Sequence, residues 1–160
     1  MIEPLVDGVV ISGAEGVVGD IAKGCVWELR VTIHRDTDIV LACHKGRMVA
    51  ERLGLSGNDQ AIVVIAISEM ARNILKYAGS GEIVIGAVQQ NDRPGICVVA
   101  RDKGPGIADV EWAMRDGSST GGGLGLGLSG TRRLVNEFGI VSELGCGTTI
   151  IIRKWKSERE

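Results

Sequence analysis

Between Asp102 and Leu128 the chain reads DKGPGIADVEWAMRDGSSTGGGLGLGL, with five glycines in the seven residues 121–127. Glycine costs roughly 0.5–1 kcal/mol more than alanine to order in a regular element. The density at Gly121, Gly122, Gly123, Gly125 and Gly127 therefore marks a backbone that bends tightly or closely approaches a ligand. The stretch opens on Asp102 in a D-x-G-x-G turn and leads through Ser129 into a helix-like run, TRRLVNEF. A glycine-rich loop feeding a helix N-terminus presents free N–H groups and the positive end of the helix dipole, which suits phosphate.

The rest of the chain must build a scaffold for that loop. Its 160 residues fit one domain with a real core. Aromatics are only 3%, so Ile, Val, Leu and Ala fill the interior. A net charge of −2 gives no basic nucleic-acid footprint. No apolar run reaches membrane-span length, and MIEPLVDG lacks the basic start of a signal peptide, so a cytoplasmic protein is expected. Cys25, Cys43, Cys97 and Cys146 form no C-x-x-C pair, so reduced thiols rather than a metal site are expected.

Periodicity places the elements. Residues 1–25 are glycine-rich and weakly patterned, an arm that is loose or forms an irregular strand pair; residues 26–160 form the domain proper. VWELRVTIH at 26–34 alternates as a strand, and Asp36 or Asp38 caps a helix reaching about Leu53. Asn58 to Ala78 is a long helix stopped by Gly79; its IVVIAI segment is β-branched, but the length of the run decides for helix. Glu82–Gln90 and Ile96–Asp102 are strands joined by the turn NDRPG. A short helix from Asp109 to about Arg115 precedes the glycine-rich loop. A helix from about Ser129 to Phe138 follows, ended by Gly139, and Ile140–Leu144 and Thr148–Trp155 form a last hairpin. Hairpins plus segregated helices predict an α+β two-layer sandwich, its sheet mostly antiparallel and its helices on one face.

Three groups of residues can carry chemistry. Glu69 and Asn73 stand four apart, on one face of the long helix, continuing a stripe that holds Ile62 and Ile65. A carboxylate there can serve as a base, and an amide oxygen is a hard donor suited to Mg²⁺. The bland alternative pairs Glu69 with Arg72 on a solvated surface. Asp102, at a strand end, accepts hydrogen bonds only. It suits the exocyclic amine of adenine and opposes the carbonyl of guanine, unless it is an ordinary turn aspartate. Gly125, Gly127 and Gly130 spell G-x-G-x-x-G, but no strand leads into them, so a dinucleotide fold is disfavoured. No Lys-Ser/Thr follows to make a P-loop, and the HRD and DFG signatures of ordinary protein kinases are absent.

Taken together, Glu69-x-x-x-Asn73, Asp102-x-Gly104-x-Gly106, Gly121–Gly127 and Gly147-Thr148 resemble the asparagine box, the two glycine boxes and the closing threonine of the GHKL ATPase superfamily. The resemblance spans roughly residues 26–155 and implies that superfamily's Bergerat sandwich fold. It implies ATP and Mg²⁺ as cofactors, Glu69 as general base and Asn73 as the Mg²⁺ ligand. Asp102 would read adenine with Thr148 in support, and Gly104, Gly106 and Ile107 would line the nucleotide. Gly121, Gly122, Gly123, Leu124, Gly125, Leu126 and Gly127 would form a lid over the phosphates.

AISEMARNILKYAGSG, RDKGPGIADV, DGSSTGGGLGLGLSG and GCGTTI are similar to the single-domain serine/threonine protein kinases that act as switches in bacterial stressosomes. That likeness implies phosphorylation of STAS-domain stressosome scaffold and antagonist proteins, followed by activation of a PP2C-type phosphatase. The competing subfamily is the anti-sigma-factor kinases, which bind a sigma factor and whose asparagine box usually lacks the Ala-Arg-Asn of residues 71–73. A nucleotide-gated binding switch with little turnover is the alternative to an enzyme. The arm at 1–25 has no counterpart in the pattern.

Overall fold

The computed structural model describes residues 3–4, 10–11, 16–107 and 127–158. In chain order these form β1 (Glu3–Pro4), β2 (Val10–Ile11), α1 (Gly16–Ala22), β3 (Val26–Ile33), α2 (Asp36–Arg52) and α3 (Gly57–Tyr77). There follow β4 (Gly81–Gln90), β5 (Arg93–Asp102), α4 (Gly127–Leu134), β6 (Glu137–Glu143) and β7 (Gly147–Trp155). The architecture is the expected α+β sandwich, except that helices cover both faces of the sheet rather than one, α1 lying on the outer face. Five strands make one sheet in the order β3-β4-β5-β7-β6, every neighbouring pair antiparallel. β1 and β2 pair separately.

Strand alternation sorts the sheet's residues onto two faces. Val31, Ile33, Ile83, Ile85, Ile96, Val98, Ile150 and Ile152 point to the inner face, where α2, α3 and α4 cover them with Ala42, Val63, Ile67, Met70, Ile74 and Leu128. This core is aliphatic, as the scarcity of aromatics requires. Trp27, Val84, Val88, Cys97, Val99, Ile151 and Trp155 point outward, and α1 covers them with Val18, Ile21 and Ala22. The arm thus contributes a helix that periodicity did not reveal; at seven residues it is too short to show one.

α2 starts where Asp38 accepts the backbone N–H groups of His34 and Arg35. Ser56 Oγ caps α3 by accepting the Asp59 N–H at 3.1 Å, and Gly79, at φ +82°, ends it with its N–H on the Ile74 carbonyl. The IVVIAI segment is helical.

Three further expectations are corrected. The β4–β5 loop is not five residues: Asn91 and Asp92 both adopt positive φ and close a two-residue turn, so Pro94 and Gly95 lie within β5. The helix begun near Ser129 ends at Leu134, and Gly139 is a strand residue opposite Ile151. Asn136 takes the chain out of the helix, because its N–H donates to the Arg153 carbonyl and its Oδ1 accepts the Trp155 N–H. Finally, the thiols are not all free. Cys25 and Cys97 form a disulfide, while Cys43 and Cys146 remain unpaired. The short helix predicted at Asp109–Arg115 and the lid residues 121–126 lie outside the described residues.

Candidate nucleotide pocket

Glu69, Asn73 and Tyr77 follow one another at single-turn spacing along α3. Opposite them, the ends of β5 and β7 bring Asp102 and Thr148 together as a registered pair. Between the helix and these strand ends lies a small pocket lined by Met70, Asn73, Ile74, Tyr77, Ala100, Asp102, Gly106, Ile107, Thr148 and Ile150. Its walls are mostly apolar with a few converging polar groups, the pattern of a small-molecule site.

The D-x-G-x-G turn is shaped by close approach. Asp102 Oδ1 accepts the Gly104 N–H at 2.9 Å, which folds the turn back on its own carboxylate. A side chain on Gly104 would press on Ala78 at the end of α3. Gly106 has φ +82°, and a Cβ there would strike the Glu143 carbonyl. From β6, Ser142 Oγ accepts the Ile107 N–H at 2.6 Å and shares a 2.8 Å hydrogen bond with Thr148 Oγ1. Ser142 therefore joins the turn, the strand-end threonine and the sheet edge. Burial pushes the Asp102 carboxyl above the usual carboxylate range, partly offset by the backbone N–H groups of Gly104 and Thr148.

Glu69 resolves its two readings in an unexpected way. It does pair with Arg72, at 3.5 Å, but it is not on a solvated surface: Glu69 is 8% exposed while the Arg72 side chain is half in water. Glu69 is thus a buried carboxylate one turn before Asn73 on α3, with Arg72 beside it. Asn73 is half-buried and lines the pocket. Among the described residues no group of three His, Cys, Asp or Glu could hold a metal. A Mg²⁺ ion at this pocket would have to take most of its shell from phosphate and water.

The structure thus gathers Asn73, Asp102, Gly106, Ile107 and Thr148 around one pocket, with Gly104 in the adjoining turn; Glu69 does not line it and lies one turn before Asn73 on α3. Gly127 opens α4 at φ +61°, and its carbonyl accepts the Thr131 hydroxyl. The remaining lid residues, 121–126, are not described. Two contributors escaped the sequence reading. Tyr77 carried a signal, since it extends the 69–73 stripe by one more turn. Ser142 carried none, because its role exists only across the β6–β7 pair.

Residues 58–158 match the model of the histidine kinase-, DNA gyrase B- and HSP90-like ATPases. The chain is 49% identical over 125 residues to the serine/threonine-protein kinase RsbT of Bacillus subtilis, covering 78% of this chain and 94% of that protein. Among solved structures, the RsbU and RsbW domains of a Mycobacterium tuberculosis protein superpose with a TM-score of 0.55 at 20% identity. That match covers 82% of this chain, which spans about a third (34%) of that longer one. The structural likeness speaks for the fold.

Proposed function

The chain belongs to the histidine kinase-, DNA gyrase B- and HSP90-like ATPase family, and from that premise we propose that its α3–sheet pocket is the ATP site of a protein-phosphorylating switch. The chain is a serine/threonine protein kinase of the RsbT kind. One observation carries the assignment of its site. Asn73, Asp102, Gly106 and Thr148 come from separate elements to line a single pocket, and Glu69 is buried one turn before Asn73 on the same helix.

In this reading the Asp102 carboxylate accepts the exocyclic amine of adenine, and Thr148 supports it. The glycines of the turn let the backbone approach the base. Tyr77 and Ile107 provide apolar walls. Asn73 would hold Mg²⁺, which when bound neutralises phosphate charge. Glu69 takes the proton of the attacking serine or threonine hydroxyl, and Arg72 keeps that carboxylate oriented. The lid, Gly121 to Gly127, covers the phosphates ahead of the α4 N-terminus.

The substrates proposed are STAS-domain stressosome scaffold and antagonist proteins, met in the cytoplasm. After phosphorylating them the kinase is released to activate a PP2C-type phosphatase. The test is transfer of labelled phosphate from ATP to a STAS-domain protein. Glu69→Gln keeps the shape of the side chain and removes the base, so transfer falls about 10²–10⁴-fold while nucleotide affinity holds. Transfer at the parental rate would remove Glu69 from the mechanism. A pull-down that retains a sigma factor and no STAS protein would move the chain to the anti-sigma-factor kinases.

A further inference from the structure

The outer face of the sheet carries one row of residues, in register from edge to edge, that the nucleotide pocket does not use. Trp27 on β3 stands opposite Gly86 on β4, Gly86 opposite Cys97 on β5, Cys97 opposite Arg153 on β7, and Arg153 opposite Glu137 on β6. Its two central members, Cys97 and Arg153, hold the arm directly. Cys25, just past α1, is bonded to Cys97, two strands away from β3 in the sheet. Gly86 lets β3 and β4 approach closely, since a Cβ there would collide with β3. Arg153 donates through Nη2 to the carbonyls of Ile21 and Lys23, the free acceptors at the C-terminal end of α1. The same nitrogen lies 3.8 Å from Cys25 Sγ, and Glu137 anchors the guanidinium from the other side.

We propose that Cys25 and Cys97 form a thiol–disulfide exchange site whose redox state sets how firmly α1 covers the outer face of the sheet. The two sulfurs are unequal, as exchange chemistry needs. Cys25 is half-buried, whereas Cys97 is fully buried. A thiolate from a dithiol reductant attacks the reachable Cys25 sulfur, and Cys97 leaves as a thiolate that then picks up a proton. The reductant's second thiol attacks the mixed disulfide, leaves as a cyclic disulfide, and frees the Cys25 thiolate beside Arg153. A disulfide-bearing oxidant reverses both steps and departs as two thiols. The guanidinium favours the Cys25 thiolate and so eases reoxidation. In the reduced state the described residues of α1 keep the contacts of Val18, Ile21 and Ala22 and the Arg153 clamp. Seven residues held this way open far more often than a helix tied covalently to a central strand. Opening bares Trp27, Val84, Val88, Val99, Ile151 and Trp155. This proposal does not rest on the kinase assignment.

Hydrogen exchange of the full chain, with and without dithiothreitol, tests it. Reduction should speed exchange in residues 18–25 by about tenfold or more, while α3 and β4 stay protected. Cys25→Ser should exchange at the fast rate in both conditions. Non-reducing mass spectrometry of the parent chain equilibrated with oxidised glutathione should show a Cys25–Cys97 linked peptide. Equal protection of residues 18–25 in both states of the parent chain, or no linked peptide after oxidation, overturns the proposal.

Discussion

Asp102 is asked to do two opposed things. Burial favours its neutral form, yet reading adenine needs the ionised form, which only accepts hydrogen bonds. A carboxyl whose folded pKa is raised keeps its proton to higher pH than an ordinary one. The shift therefore costs stability as pH rises through the folded value and nothing below the ordinary value. For the ligand, ATP affinity should begin to fall on acidification while ordinary carboxylates are still ionised. Asp102→Asn should weaken ATP by about 1–3 kcal/mol, reduce the preference for ATP over GTP, and flatten that acid limb. Calorimetry across pH checks all three, and unchanged affinity in the variant would take Asp102 out of adenine recognition.

At the scale of elements, the pocket is an agreement between a helix and two hairpins. The β6–β7 hairpin supplies Ser142 and Thr148 to a turn that belongs to β5. Gly147, at φ +121°, allows the approach: a Cβ there would run into the Asp102 carbonyl. Ser142→Ala leaves the Ile107 N–H and the Thr148 hydroxyl without their shared partner. Nucleotide affinity should fall by about 1 kcal/mol, roughly fivefold, with the fold intact. Titration of a fluorescent ATP analogue alongside circular dichroism separates these outcomes, and parental affinity would show that the hairpin does not support the turn. The elements also explain where pattern reading stopped short. Asn91-Asp92 makes a tighter turn than NDRPG advertises because both residues tolerate the left-handed region. The helix after the lid ends early because Asn136 is claimed by β7.

Across the whole molecule, one buried charge cluster ties the chain's end to its long helix. Asp59, in the first turn of α3, is 1% exposed. Its Oδ1 accepts the Ser157 hydroxyl at 2.7 Å and faces Lys154 Nζ at 3.2 Å, and its Oδ2 accepts the Ser157 N–H at 2.8 Å. Burial alone would raise this carboxyl, but the hydrogen bonds from Ser157 and the Lys154 charge outweigh it and hold it below the usual range. A depressed carboxyl contributes stability that is present above its unfolded pKa and lost as pH falls through the folded value. Asp59→Ala leaves the buried Lys154 without its counter-charge, with only the Asn136 and Trp155 oxygens to accept from it, and should cost about 3–5 kcal/mol, read as a lower denaturation midpoint at neutral pH. The difference from the parent should shrink in acid. A midpoint unchanged at neutral pH would mean that Lys154 finds solvent without its partner.

Much of this was written along the chain, because local periodicity and turn chemistry act over a few residues. The 3.6 spacing of α2 and α3, the alternation of the strands, and the order of Glu69, Asn73, Asp102 and Thr148 were all legible before any coordinates. So was the sandwich they build. What needed the tertiary structure were relations between residues far apart in sequence. Glu69 became a buried carboxylate rather than a surface one only once α3 lay on the sheet. Ser142 gained a role only through strand pairing. Cys25 and Cys97, 72 residues apart, met only because α1 packs over the outer face of the sheet that carries Cys97. Sequence spacing carries no information on such meetings, because they depend on which strands end as neighbours and which face each side chain takes.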